Sequence, residues 1–544
     1  MRRPLTLLAL AALPLAVLGV FFVLPVAGML ARGFWPEGEF DPGAVVEVLG
    51  RPRVHRVLWF TVWTAAVATT VSVLLGLPAA YALHRLAFPL RSVVRAALLV
   101  PFVLPTVVVG VAFRQLLGEA GPLGFLGLDG TPVAILAGLV FFNVAVVIRT
   151  VGAAWESLDR RPADAAAALG ASPAQVFRTV TFPALRPTIV SAASVVFLFC
   201  ATAFGVVLTL GGTRYSSVET EIYLLTKDLL DLPAAAALSI LQLVAVIVLL
   251  VIAGRLRTVA DPTVGRVTSR PVRPRRSDGP QLAATALLLV LVAAPIVTLV
   301  VGSLRVDDAW GLDYYRALQT EGTDEALAVP ATTALLNSLR IAVDATWMAL
   351  LLGLLVAVAV TRRSHSRPEH RIRGALDGAF MLPLGVSAVT LGFGFLITLD
   401  QPPLDLRDSA LLVPIAQALV ALPLVVRALV PVLSGVDDRQ RQAAASLGAG
   451  PLRAVLTVDL PAIRMPLLAA AGFAFAVSLG EFGATSFLAR ADRPTLPVVI
   501  FRLIGQPGEL NYGMALAASV VLAGSTALVI LVVERLRVPA MGAW

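Results

Sequence analysis

Residues that could carry out chemistry are few in this 544-residue chain. A Walker A phosphate loop needs a Gly-Lys-Ser/Thr step to hold nucleotide phosphates. Lys227 is the only lysine, and it stands in Leu-Thr-Lys-Asp. The chain therefore carries no such ATP site, and we predict no catalytic residue in it.

Metal ligands are equally sparse. Of the four histidines, His55 and His84 stand at the ends of apolar runs, and His365 and His370 stand in an arginine-rich stretch that repels cations. Cys200 is the single cysteine and can form no intramolecular disulfide. We expect no metal site and no cofactor bound by this chain.

Ionisable and aromatic residues inside apolar runs are the remaining candidates, because charge is costly to bury in a membrane. Glu481 stands beside Phe482 in Leu-Gly-Glu-Phe-Gly, and a carboxylate facing a solute path would attract a cation. The alternative is a structural partner for an arginine of a neighbouring helix. Asp344, near Trp347, and Phe204 complete the predicted path candidates.

The elements that position these residues must be membrane-spanning helices. Hydrophobic residues make up 58% of the chain and charged residues 14%, against roughly 45–50% and about 25% in typical soluble domains. No soluble domain could bury that much apolar surface. The fold class is therefore an all-α polytopic membrane protein.

A span needs about 20 mostly apolar residues. On that basis the chain has about twelve spans. The predicted spans are 5–31, 57–83, 96–117, 131–155, 188–210, 234–254, 281–303, 335–360, 376–399, 410–433, 467–489 and 511–533.

Arginine placement orients the chain. With the N-terminus inside, the inside segments hold most of the arginines, in agreement with the positive-inside rule. Both termini are then cytoplasmic. The first apolar run could be a cleaved signal peptide, but it exceeds the roughly 7–15 residues of a signal core. We favour a retained first span.

The sequence repeats at an offset of 278 residues. Asp164-Ala-Ala-Ala-Ala-Leu-Gly-Ala-Ser-Pro173 matches Gln442-Ala-Ala-Ala-Ser-Leu-Gly-Ala-Gly-Pro451, and Arg149 matches Arg427. Parallel repeats occur where two similar bundles enclose a path near the membrane midplane. Chance similarity of Ala/Leu-rich segments is the alternative, but Gly, Pro and Arg also align.

The repeat predicts two similar halves of the chain. We predict a first half at 1–254, a cytoplasmic basic linker at 255–280 and a second half at 281–544. A lipid-headgroup or nucleic-acid patch is the alternative for the linker, and we favour a plain linker with no nucleic-acid partner.

Each half carries a matching loop after its fourth span, 156–187 in the first half and 434–466 in the second. We call these the first and second repeated loops. The pattern predicts a short helix, a glycine break at Gly170 and a second helix capped by Ser172. Pro162 and Asp164 suit the start of the first helix. Pro183 and Pro461 are expected to end the second helix.

Small side chains on a short exposed helix let another surface approach closely. A helical hairpin of this kind would fit the groove of a protein partner at the cytoplasmic face. The alternative is an amphipathic helix lying on lipid. Alanine buries little surface in lipid, and both copies keep the same turn, so we favour a protein partner.

The repeated loops resemble the signature loop of ABC importer permeases, in which Glu-Ala-Ala is followed by Gly and later by Pro. The resemblance covers nearly the whole chain and implies a fused permease pair. Both copies depart at the acidic position, which is Asp in one and Gln in the other, and this puts a specific salt bridge there in doubt. The implied ATPase-docking residues are Asp164, Ala165, Ala166, Gly170, Pro183, Gln442, Ala443, Ala444, Gly448 and Pro461.

The resemblance also implies partners. Two copies of an ATPase subunit would dock beneath the loops and carry the ATP and Mg, and an extracytoplasmic substrate-binding protein would deliver the solute. The chain itself would be a multi-pass protein of the cell membrane and no enzyme.

Within that family the chain looks like the fused permeases of thiamine and iron(III) importers. The shared features are Val140-Phe-Phe-Asn-Val144, Thr209-Leu-Gly-Gly-Thr213, Leu479-Gly-Glu-Phe-Gly483 and Thr495-Leu-Pro497. The expected cargo is thiamine or its phosphate ester. An iron(III) importer permease is the alternative, and an ion-gradient-driven secondary transporter is a further one.

Overall fold

Ten of the helices described in the chain are long and apolar enough to cross a membrane. The computed structural model describes residues 11–35, 38–212, 214–257, 271–307, 309–361, 367–400 and 404–536. Helices are the natural solution here, since every backbone polar group in hydrocarbon must be paired within its own segment. The ten are Ala11–Phe34, Pro52–Arg85, Pro132–Ser157, Pro173–Ala201, Leu232–Ile252, Arg276–Leu304, Ala331–Thr361, Leu412–Ser434, Val455–Gly480 and Glu509–Val533. The predicted all-α polytopic class is confirmed.

Two predicted spans are bent or broken. The third consists of Arg91–Val103 and Thr106–Leu117, which meet at an angle of 108°. Pro105 stands at the bend and disfavours helical backbone at the residue before it. The ninth, predicted at 376–399, is not among the described helices that are long and apolar enough to cross a membrane: this region holds the helix Arg367–Met381, a 3₁₀ turn and the short apolar helix Ala388–Thr398.

The fifth and eleventh predicted spans are also interrupted. The helix Pro173–Ala201 is followed by Gly205–Gly211, and the matching helix 451–479 is followed by Gly483–Leu488. Phe204 and Glu481 stand in these breaks. Glu481 therefore lies between two helices, where backbone donors are open to capping.

The remaining elements are short. Two strands, Arg305–Val306 and Ala309–Trp310, pair antiparallel after the seventh span. The remaining short helices outside the repeated loops are Pro42–Gly50, Val218–Lys227, Asp313–Ala317 and Leu496–Gly505. Residues 1–10, 258–270 and 537–544 lie outside the described residues, as do His365 and Thr213.

Contacts divide the described chain into two compact units. Residues 49–221 and 244–314 belong to one, called the first-loop unit. Residues up to 48, 222–243 and those from 315 onward belong to the other, called the second-loop unit. Each unit thus contains the first span of the other sequence half. The predicted boundary at 255–280 concerns the sequence repeat, and it stays a prediction.

The same close helix crossing occurs inside each unit. In the first-loop unit, a Cβ on Gly76 would lie 2.8 Å from Cβ of Val147. In the second-loop unit, a Cβ on Gly353 would lie 2.5 Å from Cγ1 of Val425. Val147 and Val425 are 278 positions apart. Small residues let membrane helices approach closely, so the repeat extends from sequence into packing.

Candidate functional site: the two repeated loops

The first repeated loop forms the predicted helical hairpin. Its first helix is Arg161–Ala168, with Asp164 in the first turn. Gly170 has φ +90°, a left-handed conformation that an L residue adopts only with strain. Ser172 begins the second helix with a capping box, in which its N–H donates to Oε1 of Gln175 at 2.8 Å. The local geometry follows from these residue types.

The second repeated loop has the same plan. Its first helix is Asp438–Ser446, preceded by Asp437, whose Oδ1 accepts the Arg439 N–H at 2.9 Å. Gly448 has φ +82° and ends this helix. The next helix begins at Pro451, so both halves keep the same turn.

The two loops also match in exposure. Ala165 and Ala443 are exposed, and Ala166 and Ala444 are half-buried. The same agreement continues through Gly170 and Gly448, which are both exposed. One face of each short helix is therefore presented outward in the same way.

A leucine at the tip of each loop is almost fully exposed. Leu169 is 90% exposed and Leu447 is 88% exposed. Covering a leucine side chain contributes about 1.5–3 kcal/mol, so two matching exposed leucines on polar loops favour a protein partner. Neither leucine was predicted from the sequence as a docking residue. The available signal was an apolar residue directly before the turn glycine of both copies.

The prediction that Pro183 and Pro461 end the second helix is wrong. Each proline lies in a helix that continues from the loop into the membrane-spanning segment. A π turn precedes each, Phe177–Thr181 and Val455–Asp459. A proline ring clashes with the carbonyl four residues back in a regular α-helix. The wider π turn accommodates the ring, so the helix passes through without ending.

Aromatic rings support the first repeated loop. The rings of Trp155 and Phe177 are stacked with centroids 6.3 Å apart. The ring of Tyr81 also packs on Trp155, with centroids 5.3 Å apart. Next to Trp155, Oε1 of Glu156 lies 2.8 Å from Nδ1 of His84. The base of this loop thus contains three aromatic rings, and beside them Oε1 of Glu156 also lies 3.4 Å from Nη1 of Arg95.

Charges support the second repeated loop. Nε of Arg441 donates to Asp459 at 2.8 Å, Nη1 donates to Asp438 at 2.7 Å, and Nη2 donates to the carbonyl of Leu433 at 3.1 Å. Burial alone would lower the pKa of Arg441, but the hydrogen bonds to the two carboxylates leave that pKa raised. The guanidinium therefore stays charged and clamps the hairpin to its own base.

Glu481 caps the short helix Gly483–Leu488. Its carboxylate accepts the N–H of Ala484 at 2.8 Å and that of Thr485 at 3.0 Å. It also accepts the Thr485 hydroxyl at 2.5 Å, and Thr485 in turn accepts Nε2 of Gln417 at 3.3 Å. The residue is only 8% exposed. These donors are backbone amides and a hydroxyl. The alternative interpretation from the sequence, in which Glu481 pairs with an arginine, had named a different donor.

Lys227 lies at the other end of that short helix. Its Nζ donates to the carbonyl of Phe487 at 3.1 Å, and the Tyr223 ring meets the Phe487 ring edge-on. An acid at the N-terminus and a cation at the C-terminus both suit the helix dipole. This role of Lys227 was not predicted from the sequence.

The other path candidates lie in different surroundings. Phe482 is buried and packs on Phe501 at 5.4 Å, and Phe204 is buried in the first-loop unit. Asp344 accepts Nε1–H of Trp347 at 3.3 Å on a partly exposed helix face. Only Phe482 is adjacent to Glu481 among these candidates.

Two buried carboxylates were not predicted from the sequence. Glu219 and Glu221, in the helix Val218–Lys227, are 0% and 1% exposed. Glu221 accepts two hydrogen bonds from Arg53, at 2.5 and 3.1 Å. The signal was the segment Val-Glu-Thr-Glu before an apolar run, which reads as an ordinary surface segment.

Comparison with known proteins agrees with this geometry. A family model described as "Binding-protein-dependent transport system inner membrane component" matches twice, at residues 72–266 and 349–537, which is together more than half of the chain. Each match contains one repeated loop.

Named relatives cover most of the chain. The thiamine transport system permease protein ThiP of Brucella abortus (strain 2308) is 29% identical over 514 residues, 88% of this chain and 90% of the relative. ThiP of Escherichia coli (strain K12) is 28% identical over 82% of this chain and 83% of its own length. The ferric transport system permease protein FbpB of Actinobacillus pleuropneumoniae is 24% identical over 91% of this chain and 73% of its own length.

The chain thus contains two hairpins with the same geometry, and each hairpin continues into a spanning helix. The family model matches both halves of the chain. The chain belongs to the binding-protein-dependent transport system inner membrane components, and is a multi-pass ABC importer permease of the thiamine and iron(III) permease family.

Proposed function

We propose that this chain moves thiamine, or its phosphate ester, into the cytoplasm by ATP-driven alternating access. Two copies of an ATPase subunit dock on the two repeated loops and carry the ATP and Mg. An extracytoplasmic binding protein delivers the solute. Both termini are cytoplasmic, which agrees with the arginine-rich inside segments.

The observation that carries the proposal is the pair of exposed tip leucines. Leu169 and Leu447 stand at the same place in two hairpins with the same turn. A leucine that is almost fully exposed contributes about 1.5–3 kcal/mol when a partner covers its side chain. Each loop therefore offers one anchor to one partner subunit, and two loops take two copies.

Continuous helices give the loops a way to act on the membrane segment. In each half, the second helix of the loop runs through a π turn into the spanning helix. A displacement of the hairpin is then transmitted to the span as a rigid-body movement. ATP binding shifts the population of conformations because the closed ATPase pair favours one of them.

The proposed cargo is based on the relatives of this chain. The relatives from Brucella abortus and Escherichia coli are named for thiamine transport. Glu481, Phe482, Asp344 and Phe204 stay proposed path residues. The hydrogen bonds of Glu481 support a second role for its carboxylate, holding the helix Gly483–Leu488 in position.

Iron(III) is the second candidate cargo. The relative named for ferric transport aligns over 91% of this chain, although at lower identity. The family match argues against the ion-gradient-driven alternative, since binding-protein-dependent systems are a separate class.

ATP hydrolysis by the reconstituted complex tests the proposal. The chain would be placed in lipid nanodiscs with its ATPase and its binding protein, and thiamine, thiamine phosphate and iron(III) would be added separately. Stimulation by thiamine or its phosphate alone is the expected result. Stimulation by iron(III) alone would move the chain to the iron branch, and failure of any ATPase to assemble on the loops would overturn the docking mechanism.

A further inference from the structure

The end of the inter-half linker is built into the first-loop unit. Val272 donates its N–H to the carbonyl of Arg85 at 2.9 Å, and its own carbonyl accepts the N–H of Ala87 at 2.8 Å. These bonds form a parallel bridge between Val272 and Leu86. We call residues 271–278 the linker anchor. It is attached to the end of the helix Pro52–Arg85.

Asp278 attaches the linker anchor at a second point. Its Oδ1 accepts the hydroxyl of Tyr81 at 2.9 Å, and its Oδ2 accepts the Arg275 N–H at 2.8 Å. Asp278 is 9% exposed. A buried carboxylate that accepts two donors fixes both, because leaving either group unpaired is costly.

Tyr81 connects this carboxylate to the first repeated loop. Its ring packs on Trp155 at 5.3 Å, and Trp155 stacks on Phe177 at 6.3 Å. Phe177 is the first residue of the π turn that joins the hairpin to the membrane. A row of three rings thus runs from the linker anchor to the base of the loop.

We propose that the linker anchor positions the first repeated loop, with Tyr81 and Asp278 as positioning residues. The inference rests on the proposed function, in which this loop docks an ATPase subunit. The linker therefore does more than join two halves. It sets the orientation of one docking hairpin through the hydroxyl of Tyr81 and the rings behind it.

The second repeated loop does not share this support. Leu433 and Val455 stand at the positions that match Trp155 and Phe177. Arg441 holds that loop through Asp459 and Asp438. A change at Tyr81 is accordingly expected to affect one loop and not the other.

Hydrogen exchange of the two π turns tests the inference in the full-length chain. Tyr81→Phe keeps the ring and removes the hydroxyl. We expect amide exchange at 173–181 to rise about fivefold, the factor that matches one lost hydrogen bond, with exchange at 451–459 unchanged. Tyr223→Phe is the matched control, since it makes the same change in the second-loop unit. Equal exchange at 173–181 in the wild type and in Tyr81→Phe would overturn the inference.

A double-mutant cycle separates positioning from general loss of stability. If Tyr81 acts through Asp278, then Tyr81→Phe combined with Asp278→Ala should accelerate exchange at 173–181 no more than Asp278→Ala alone. Additive effects of the two substitutions would contradict the inference, because they would mean that the two side chains act separately.

Adding the ATPase distinguishes failure of this inference from failure of the proposed function. If the ATPase protects neither loop of the wild type from exchange, docking is wrong whatever Tyr81 does. If it protects both loops, we expect Tyr81→Phe to weaken docking on the first loop only. The ATPase concentration that gives half-maximal protection of residues 161–181 should then rise about fivefold. The concentration that gives half-maximal protection of residues 439–459 should not change. Equal protection of both loops in Tyr81→Phe would overturn the linker inference and leave docking intact.

Discussion

The first and second repeated loops have one backbone geometry and two different supports. Both turn at a left-handed glycine, both present an exposed leucine, and both continue through a π turn into a spanning helix. The first rests on the rings of Trp155 and Phe177, whereas the second is clamped by the guanidinium of Arg441. A repeat can thus keep the surface that meets a partner while the residues behind it diverge.

The two supports also depend on different interactions. Stacked rings are held mainly by burial and dispersion, which salt changes little. The contact of an arginine with two carboxylates depends on charge. When the arginine is lost, the negative charges of both carboxylates are left uncompensated. The two loops should therefore respond differently to the same perturbation, and the predictions below use that contrast.

Loss of the tip leucines should have the largest effect. In Leu169→Asp or Leu447→Asp a charge would have to be buried against the ATPase, so we expect at least about a tenfold loss of substrate-stimulated ATP hydrolysis for either. The measurement is ATPase activity of the reconstituted complex. Leu169→Met and Leu447→Met are the conservative controls. Activity that survives the aspartate in one loop only would mean that a single loop docks the partner.

Removal of Arg441 should loosen the second loop alone. Arg441→Met takes two hydrogen bonds and a charge from Asp459 and Asp438, at an expected cost of about 3 kcal/mol. Faster amide exchange at 439–459, with 161–181 unchanged, is the predicted result. Arg439→Met is the control, since it removes an exposed arginine of the same helix. Equal loosening of both loops would show that the two supports are not independent.

Truncation of Trp155 is the reverse experiment. Trp155→Leu introduces the residue type found at the matching position 433 and removes the stacking partner of Phe177, at an expected cost of about 2 kcal/mol. Exchange at 161–181 should rise while 439–459 stays the same. If Trp155→Leu has no effect on the first loop, then the contacts of Glu156 with His84 and Arg95 carry the support instead.

Added salt should have the smallest effect on amide exchange, and the direction of the effect should differ between the two loops. Raising NaCl from low to molar concentration screens charge pairs, with less than about 1 kcal/mol of change for a pair of this kind. Exchange at 439–459 should rise slightly, and exchange at 161–181 should stay level or fall. A salt effect of the same size on both loops would contradict the contrast between an ionic and an aromatic base.

Much of the candidate site was visible in the amino-acid sequence. The helical hairpin follows from local chemistry: Pro162 and Asp164 begin a helix, Gly170 permits the left-handed turn, and Ser172 caps the next helix. These preferences act over three or four residues, so they need no distant partner. The all-α class and the repeat likewise follow from apolar runs and spacing.

Residues whose role depends on where a helix breaks or widens were not predictable in that way. Glu481 was read as a path carboxylate or an arginine partner, and it caps a short helix whose start only the broken span creates. Pro183 was read as a helix end because the π turn before it has no recognisable sequence signature.

The sequence by itself determined the class of the protein, the twofold repeat and the helix–glycine–helix turn of each loop. Hydrophobic runs, the 278-residue spacing and short-range capping rules suffice for these properties, because none of them depends on which helices pack together. The tertiary structure decided what supports each loop. Trp155 meets Phe177 and Tyr81, and Asp278 meets Tyr81, only because helices far apart in the chain pack together. Pairings of that kind depend on which faces meet, and no local preference encodes them.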